Sequence, residues 1–544
     1  AQYGGRLSGV LDVRSAEPTS VDLHGTAEVS LVSSTASVGR TLGDGSWMIA
    51  GRRTYADFVV DRFKPGAFPY HFQDAQGHLE HGLPGGLRLS LTAYDGVDAA
   101  ISHENDPVRV VWGNSVVGAT LSKTFAARRS LFGISLGDSV AVAQRTSVSR
   151  FDAGLGAPNS FISGNNDVGD FRIGGSATAY GARLTQTVGY ELATQRFAYT
   201  ASGTLASAGD LFPIDSVRQH TRSASVYADE LWRTSPRLLV DAGARVDAVA
   251  EHALGGVSPR IALKYFLTPS FAVTGGAGSY RQWIHSLGRE EEPIEPLQFW
   301  VGSDASTPIS RARDAIVGVE RWVTPSRVVH AEGFYKRYDH LLVPNPFSDP
   351  TVHGDEFNVV GGTSYGADLL MRQLDVGGPF NGWVSYSYGV SSRVGADGVH
   401  YFPVQDRRHN MNAVGSWRDG AYAFGARLNV ASGLPYTPVL GAFIVSRYDP
   451  ITRRWVVDDG SSNQSPIASA HNSARLPWYD RLDLSVTRRS LVHGVVVTPY
   501  LSVMNVLNAH NPAAYFYDYE AFSPDRASFP NLPLMPTFGV TIAY

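Results

Sequence analysis

The sequence contains no cysteine. Disulfide frameworks and cysteine-ligated metal sites are therefore excluded, while the compartment is left open. It also lacks any run of about 18 apolar residues, so no transmembrane helix is predicted. A membrane barrel remains compatible with this, because only alternate residues of its strands face lipid. Net charge is small, −4, and gives no reason to expect nucleic acid as a partner. No signal peptide precedes Ala1, so the chain is read as a mature form or a piece of a longer protein. What is abundant is glycine, at 56 residues, with aromatics at 11%. This composition suits strands with tight turns and interfacial aromatic girdles. The 30 prolines argue against long helices. Mean hydropathy is −0.11, so the chain is not greasy overall. A length of 544 residues is compatible with one large barrel domain.

The C-terminal stretch sets the reading. Phe538, Val540, Ile542 and Tyr544 alternate with Thr537, Gly539, Thr541 and Ala543, a period of two with one apolar face. A free aromatic strand edge invites aggregation. It must close onto another strand, in a sandwich or, with its greasy face toward lipid, in a barrel. Upstream, Gly43-Asp44-Gly45 and Leu83-Pro84-Gly85-Gly86 read as hairpin turns. Thr234-Ser235-Pro236, Thr268-Pro269-Ser270 and Thr324-Pro325-Ser326 each separate two alternating runs. Longer stretches, Gln282–Ser310, Gly433–Trp478 and Ala509–Pro533, break the alternation. Short connections on one rim and long loops on the other are typical of outer-membrane barrels. Strands of roughly 12 residues, tilted by ~45°, would span about 28 Å. Counting from Val21 predicts an all-β, transmembrane antiparallel barrel of about 22 strands. With an even count, Tyr544 and the three Thr/Ser/Pro turns should share one rim. Arg245, Arg427 and Asp483 should point into the lumen, with Val246, Leu428 and Leu484 toward lipid. The long loops should lie outside the cell.

Several short patterns recur in an order that matches a known family. They are Tyr3-Gly4-Gly5-Arg6-Leu7-Ser8-Gly9-Val10-Leu11-Asp12-Val13 and Gly45 to Tyr55, then Ser258-Pro259-Arg260 and Ser364-Tyr365-Gly366-Ala367-Asp368. Asp406-Arg407-Arg408-His409, Ser432-Gly433-Leu434-Pro435-Tyr436-Thr437-Pro438, Tyr479-Asp480-Arg481-Leu482-Asp483 and Asn505-Val506-Leu507-Asn508 follow. On these residues the whole chain resembles the TonB-dependent outer-membrane receptors. The resemblance implies an outer-membrane location and active uptake of a scarce nutrient, energised by the inner-membrane proton gradient. The nutrient class stays open among metal chelates (siderophores), vitamins, oligosaccharides and peptides. It also implies a plug domain carrying a TonB box. Residues 1–20 look like only the tail of such a plug and its linker, ahead of a barrel at 21–544. The first residues read locally as a Gly-rich turn feeding a short strand. The expected partners are outer-membrane lipid, the nutrient ligand, and the TonB energy-coupling complex in a longer form of the protein. The barrel assembly machinery is a further expected partner, through Phe538, Val540, Ile542 and Tyr544. No cofactor is implied. With so little plug, the chain alone is expected to form an open, poorly gated barrel, unless a loop such as Gly433–Trp478 folds inward.

Other constellations carry less. Gly133-Ile134-Ser135-Leu136-Gly137 fits a nucleophile elbow, but that motif needs a strand–turn–helix context, and here it reads as part of an alternating strand. A barrel hydrolase is thereby kept only as the competing class, beside a passive pore and, more distantly, a structural barrel. No catalytic residue is assigned. Of His71, Asp74, His78, Glu80 and His81, the two outer histidines fall on the opposite strand face, which breaks a metal cluster. Asp458-Asp459-Gly460-Ser461 lacks calcium-loop spacing, and Glu290-Glu291-Glu292 reads as a solvated loop. Tyr280, Gln282, Trp283, Phe299 and Trp300 gather around one long loop. They read either as an interfacial girdle or as a vestibule where a ligand would land.

Overall fold

The computed structural model describes residues 2–55, 57–58, 62, 70–101, 109–126, 130–131, 134–135, 139–157, 162–202, 216–250, 255–287, 299–305, 307–345, 357–375, 377–395, 397–444, 446–449, 452–457, 464–518 and 525–544. Strand follows strand, each pairing antiparallel with the next. They are β1 (His24–Ser30), β2 (Ser33–Leu42), β3 (Gly45–Thr54), β4 (Tyr70–Leu83), β5 (Leu87–Ile101), β6 (Arg109–Ala126), β7 (Ser139–Ala157), β8 (Ile162–Tyr180), β9 (Leu184–Ser202), β10 (Ser216–Ser235) and β11 (Leu238–Val249). The second half runs β12 (Gly256–Thr268), β13 (Phe271–Gln282), β14 (Ser310–Thr324), β15 (Arg327–Pro344), β16 (Phe357–Gln373), β17 (Phe380–Val394), β18 (His409–Asp419), β19 (Tyr422–Ala431), β20 (Tyr479–Arg488), β21 (Val495–Met504) and β22 (Met535–Ala543). Short pieces at His400–Tyr401 and Ser490–Val492 extend the ladder locally.

The ring closes where the last strand meets the first. Ala27 pairs with Ile542 and Val29 with Val540. Gly25 and Tyr544 exchange backbone hydrogen bonds of 3.2 Å in both directions. The result is a closed barrel of 22 strands, the number expected, which leaves no open edge. No helix among the described residues is long and apolar enough to cross a membrane.

Every turn that follows an even strand lies on one rim, because neighbours are antiparallel and the count is even. Ser235 faces Leu238, Thr268 faces Phe271, and Thr324 faces Arg327 across their turns. Tyr544 follows β22. All three Thr/Ser/Pro turns and the C-terminus therefore share the short-turn rim. The Ser235 hydroxyl accepts the Arg237 and Leu238 amides, which lets a proline-containing turn close without its own donor.

Alternation sorts the two faces. On β12, Val257, Ile261, Leu263, Tyr265 and Leu267 are exposed on the outside, while Ser258 is buried on the lumen side. Arg245 is 1% exposed within the lumen and Val246 lies outside. Arg427 pairs with Asp483, and Leu428 with Leu482, one residue out of phase. Arg245, Arg427 and Asp483 thus share the lumen face, with Val246, Leu428 and Leu484 outward. A one-residue slip would bring the charges into lipid at roughly 2–4 kcal/mol each.

Two features depart from the expected fold. The wall is uneven: β10 has 20 residues and β6 to β9 have 18 or 19, against 10 in β19. At ~3.3 Å per residue the tall strands exceed the length needed to cross a bilayer, so one flank of the barrel continues above it. The N-terminal stretch read as feeding a short strand has none; residues 2–23 carry no strand.

Candidate functional site

Residues 2–20 run through the lumen from the long-loop side to the short-turn rim. At the upper end the Gln2 carbonyl accepts from Arg245 Nη1 at 2.9 Å. The Leu7 amide donates to Gln282 Oε1 at 3.2 Å, and the Leu7 carbonyl accepts from Lys336 Nζ. At the lower end the Ser20 carbonyl accepts the Thr41 amide at 2.8 Å. The chain then turns into β1.

The wall beside the upper end carries alternating charges. Arg172 grips Asp170 through two bonds of 2.8 Å and lies 3.5 Å from Glu191. Arg245 Nη2 donates to Glu191 at 2.9 Å, and its Nε to Asp247 at 2.7 Å. Gln195 and Ser225 add donors to Asp170 and Asp247. Three carboxylates against two guanidiniums leave this row one negative charge in excess. Arg6 of the lumen segment lies in the field of Arg172, Asp170 and Glu191 and balances it. Buried charges are tolerated only when paired and hydrogen-bonded in this way.

The described parts of the connection after β13, 283–287 and 299–309 without 306, do not stand out in solvent. Trp283 is 4% exposed. Ile284–Leu287 pairs with Phe299–Gly302, and this strand pair turns inward over the wall. Trp283 and Ile284 pack with Phe197 of β9 and Val249 of β11, with Val168, Trp300 and Ile309 around them. Gln219 of β10 clamps Gly302, donating to its carbonyl and accepting its amide, both at 2.8 Å. Its amide nitrogen also reaches Asp304 at 3.0 Å. A Cβ on Gly302 would lie 1.9 Å from Thr221 Oγ1, so only glycine allows so close an approach. A second apolar cluster centred on Ala153 and Val301 draws Trp112 and Phe151 from β6 and β7, and Leu342 and Phe357 from β15 and β16. The strand pair thereby ties together walls on opposite sides of the ring. Within it, His285 Nε2 is hydrogen-bonded to Ser303 Oγ at 2.9 Å. Burial, with a smaller contribution from Arg6, pushes the imidazole down to about 4.

The five residues singled out in the sequence divide between two tasks. Tyr280 and Gln282 lie on the lumen face of β13. Gln282 holds the N-terminal segment, and the Tyr280 ring has Arg260 at 4.6 Å and Lys336 at 5.6 Å over it. Trp283 and Trp300 belong to the packed cluster. Phe299 pairs through its backbone with Leu287. The sequence reading missed Gln219, Phe197 and the Asp170–Asp247 charge row. One available signal was opposite charge at positions i and i+2, which share a strand face. Asp170/Arg172, Arg245/Asp247 and Arg481/Asp483 all form ion pairs.

The remaining patterns resolve as follows. Of Gly133–Gly137 only Ile134 and Ser135 lie within the described residues. They pair with Ser130–Leu131 in a sheet of their own, not in a barrel strand as expected. Glu290–Glu292 and Asp458–Ser461 lie outside the described residues. His71 faces Asp57 at 3.3 Å, Asp74 is bound by Arg52 at 2.6 Å, and His81 approaches Asp44 at 3.9 Å. The recurring motifs fasten the rim. Asp406, 2% exposed, binds Arg475 and Arg408 and accepts the Ser391 amide at 2.6 Å. Asn505, in the left-handed region at φ 51°, donates its backbone amide to Asp483 and its side-chain amide to Ala509 and Leu532. Asparagine tolerates that conformation better than most residues.

Known proteins agree with this architecture. The ferripyoverdine receptor of the Pseudomonas aeruginosa outer membrane, solved with ferripyoverdine bound, superposes with a TM-score of 0.65 at 11% identity, over 97% of this chain and 72% of that one. The siderophore receptor PirA of the same organism gives 0.58 at 11%, over 97% and 82%. The outer membrane transporter YddB of Escherichia coli gives 0.64 at 9%, over 96% and 80%. At these identities the likeness is one of fold. No curated protein matches the sequence. The model of the family described as TonB dependent receptor-like, beta-barrel matches residues 38–506. With that match spanning most of a closed barrel of 22 strands, the chain belongs to the TonB-dependent receptors of the Gram-negative outer membrane.

Proposed function

We propose that this barrel takes up a small, oxygen-rich, anionic ligand of the metal-chelate class from outside the cell. The observation that carries the reading is Tyr280, an aromatic lumen residue between the cations Arg260 and Lys336, whose two charges the single carboxylate of Asp314 only half offsets. Stacking surface beside fixed positive charge suits an anionic chelate better than a neutral sugar. The siderophores named for the structural neighbours support that class. Gln282, on the same lumen face, would line the route beside Tyr280, and Trp283 and Trp300 would move with the strand pair that covers it. The ligand would reach Tyr280 once the strand pair at 284–302 moves aside. Residues 1–20 would form the end of a plug, to which the TonB complex couples through a segment further toward the N-terminus.

The test is binding of ferric chelates to the purified chain, followed by quenching of its tryptophan fluorescence. Tyr280→Ala and Arg260→Ala should each weaken binding by about tenfold, the loss of ~1.4 kcal/mol expected for one cation–π or charge contact. A vitamin or neutral oligosaccharide that binds more tightly than any ferric chelate would redirect the substrate class. A steady large conductance with no saturable ligand would favour a passive pore.

A further inference from the structure

We propose that Glu17, His78 and Glu80 form a zinc-type divalent-cation site that clips the N-terminal lumen segment to the barrel wall near the short-turn rim. His78 and Glu80 are two apart on β4 and so share its lumen face, a few residues from the turn after Leu83. Glu17 arrives from the lumen segment, between a buried Pro18 and the Ser20 carbonyl that holds the Thr41 amide. One donor atom from each of the three residues lies within 4.8 Å of the other two.

Three observations point to a cation. His78 Nδ1 is fixed by Thr92 Oγ1 at 3.0 Å. Its Nε2 is buried and has no hydrogen-bond partner. A ring oriented through one nitrogen, with the other left free, is how a metal-binding histidine is held. The Glu17 carboxyl faces that of Glu80, so two carboxylate oxygens converge beside the free His78 nitrogen. The ligand types also fit: one imidazole nitrogen and two carboxylate oxygens are a zinc donor set that leaves a fourth position for water.

The geometry needs a modest adjustment. Ligands at ~2.1 Å on a tetrahedral ion sit about 3.4 Å apart. Glu17 can supply the movement, being exposed and in a segment without secondary structure. Arg88 is the opposing charge. It donates to Glu80 Oε1 at 2.8 Å, which orients that carboxylate while its positive charge weakens the cation's hold. Arg88 is more than half exposed and also lies in the field of Asp44, so it can swing away. Bound cation would fasten the lower end of the segment as Arg245 and Lys336 fasten the upper end.

The experiment uses the full chain in detergent micelles, stripped with chelator and titrated with Co²⁺, followed by zinc competition. The expected result is one saturable equivalent with visible d–d absorption that zinc displaces. Glu17→Gln and His78→Gln should each lower affinity at least tenfold. With 16 histidines in the chain, His71→Gln and His81→Gln serve as controls and should leave it unchanged. Glu17→Gln alters only an exposed residue, so it remains informative even if His78→Gln fails to fold. As a second readout, zinc should protect the segment around residues 8–16 from protease in the parent chain but not in Glu17→Gln. Absence of a saturable equivalent would overturn the proposal. Binding indifferent to both Glu17→Gln and His78→Gln would also overturn it, and would mean adventitious histidine binding only.

Discussion

Two excursions leave the long-loop rim and go opposite ways. The connection after β13 folds into the lumen and buries Trp283, Ile284 and Val301. The connection after β19 forms a ladder of its own, with Pro435–Tyr436, Val439–Ile444 and Ser446–Asp449 pairing back onto Ala474–Arg475, Gln464–Ala468 and Arg454–Val457. Leu440 and Trp455 on that ladder are 70% and 71% exposed. Both segments are rich in apolar side chains, so hydrophobicity does not choose the direction. The wall chooses it. Gln219, Thr221 and Phe197 offer the first loop a clamp, a glycine-sized gap and a greasy surface. The second is held at its base by ions, through Asp406 and Arg475, and its upper part packs on itself.

The largest expected effect comes from breaking the ionic base. Asp406→Ala leaves Arg475 and Arg408 without their shared buried partner and should cost roughly 3–5 kcal/mol. Hydrogen exchange should accelerate around 433–436 and 472–476 while the strand pair of 284–287 and 299–302 stays protected. Phe197→Ala is the reverse experiment. Removing a fully buried phenylalanine costs about 3 kcal/mol or more, and protection should be lost at 284–287 and 299–302 and not in the arm. Gln219→Ala, which deletes the clamp on Gly302, should have a similar pattern at about 2 kcal/mol.

Acid offers a graded version. Released, His285 titrates near 6.5, while packed it titrates at about 4. Between these values the released form binds the proton and the packed form does not. The packed form is therefore fully favoured above pH 6.5 and loses about 1.4 kcal/mol per pH unit as pH falls toward 4. Planar-bilayer conductance should rise over that window, and His285→Gln should flatten the response. The smallest effect is Trp455→Ala, an exposed arm residue, expected to change thermal stability by less than about 0.5 kcal/mol.

The barrel was legible because its signals are local and repeated. Period-two alternation and proline-bearing turns exposed the strand number, the shared rim and the inward faces of Arg245 and Arg427. The path of the connection after β13 was not legible, because it depends on side chains of β7, β9 and β16 that lie far away in sequence. Tyr280 to Trp300 stood out as an aromatic cluster, yet nothing local distinguishes a ligand vestibule from a packed plug of the mouth. The arm at 433–478 was the stretch expected to turn inward if any did; the connection after β13 does so instead. Asp406 and Asn505 were visible as motifs, but their task at the rim appears only once Arg475, Ser391 and Asp483 are brought beside them.

The inward path of that connection is the claim on which the lumen, the ligand route and the acid response all depend. Because the chain has no cysteine, one engineered pair tests it cleanly. A Cβ at Gly302 would sit 3.1 Å from the Thr221 Cβ, close to the separation a disulfide spans after a small shift. The measurement is disulfide formation in Thr221→Cys/Gly302→Cys in intact outer membranes exposed to a mild thiol oxidant, read by gel mobility with and without reductant. Near-complete cross-linking is expected at pH 7.5. Two free thiols at pH 7.5 in a correctly folded barrel would contradict it.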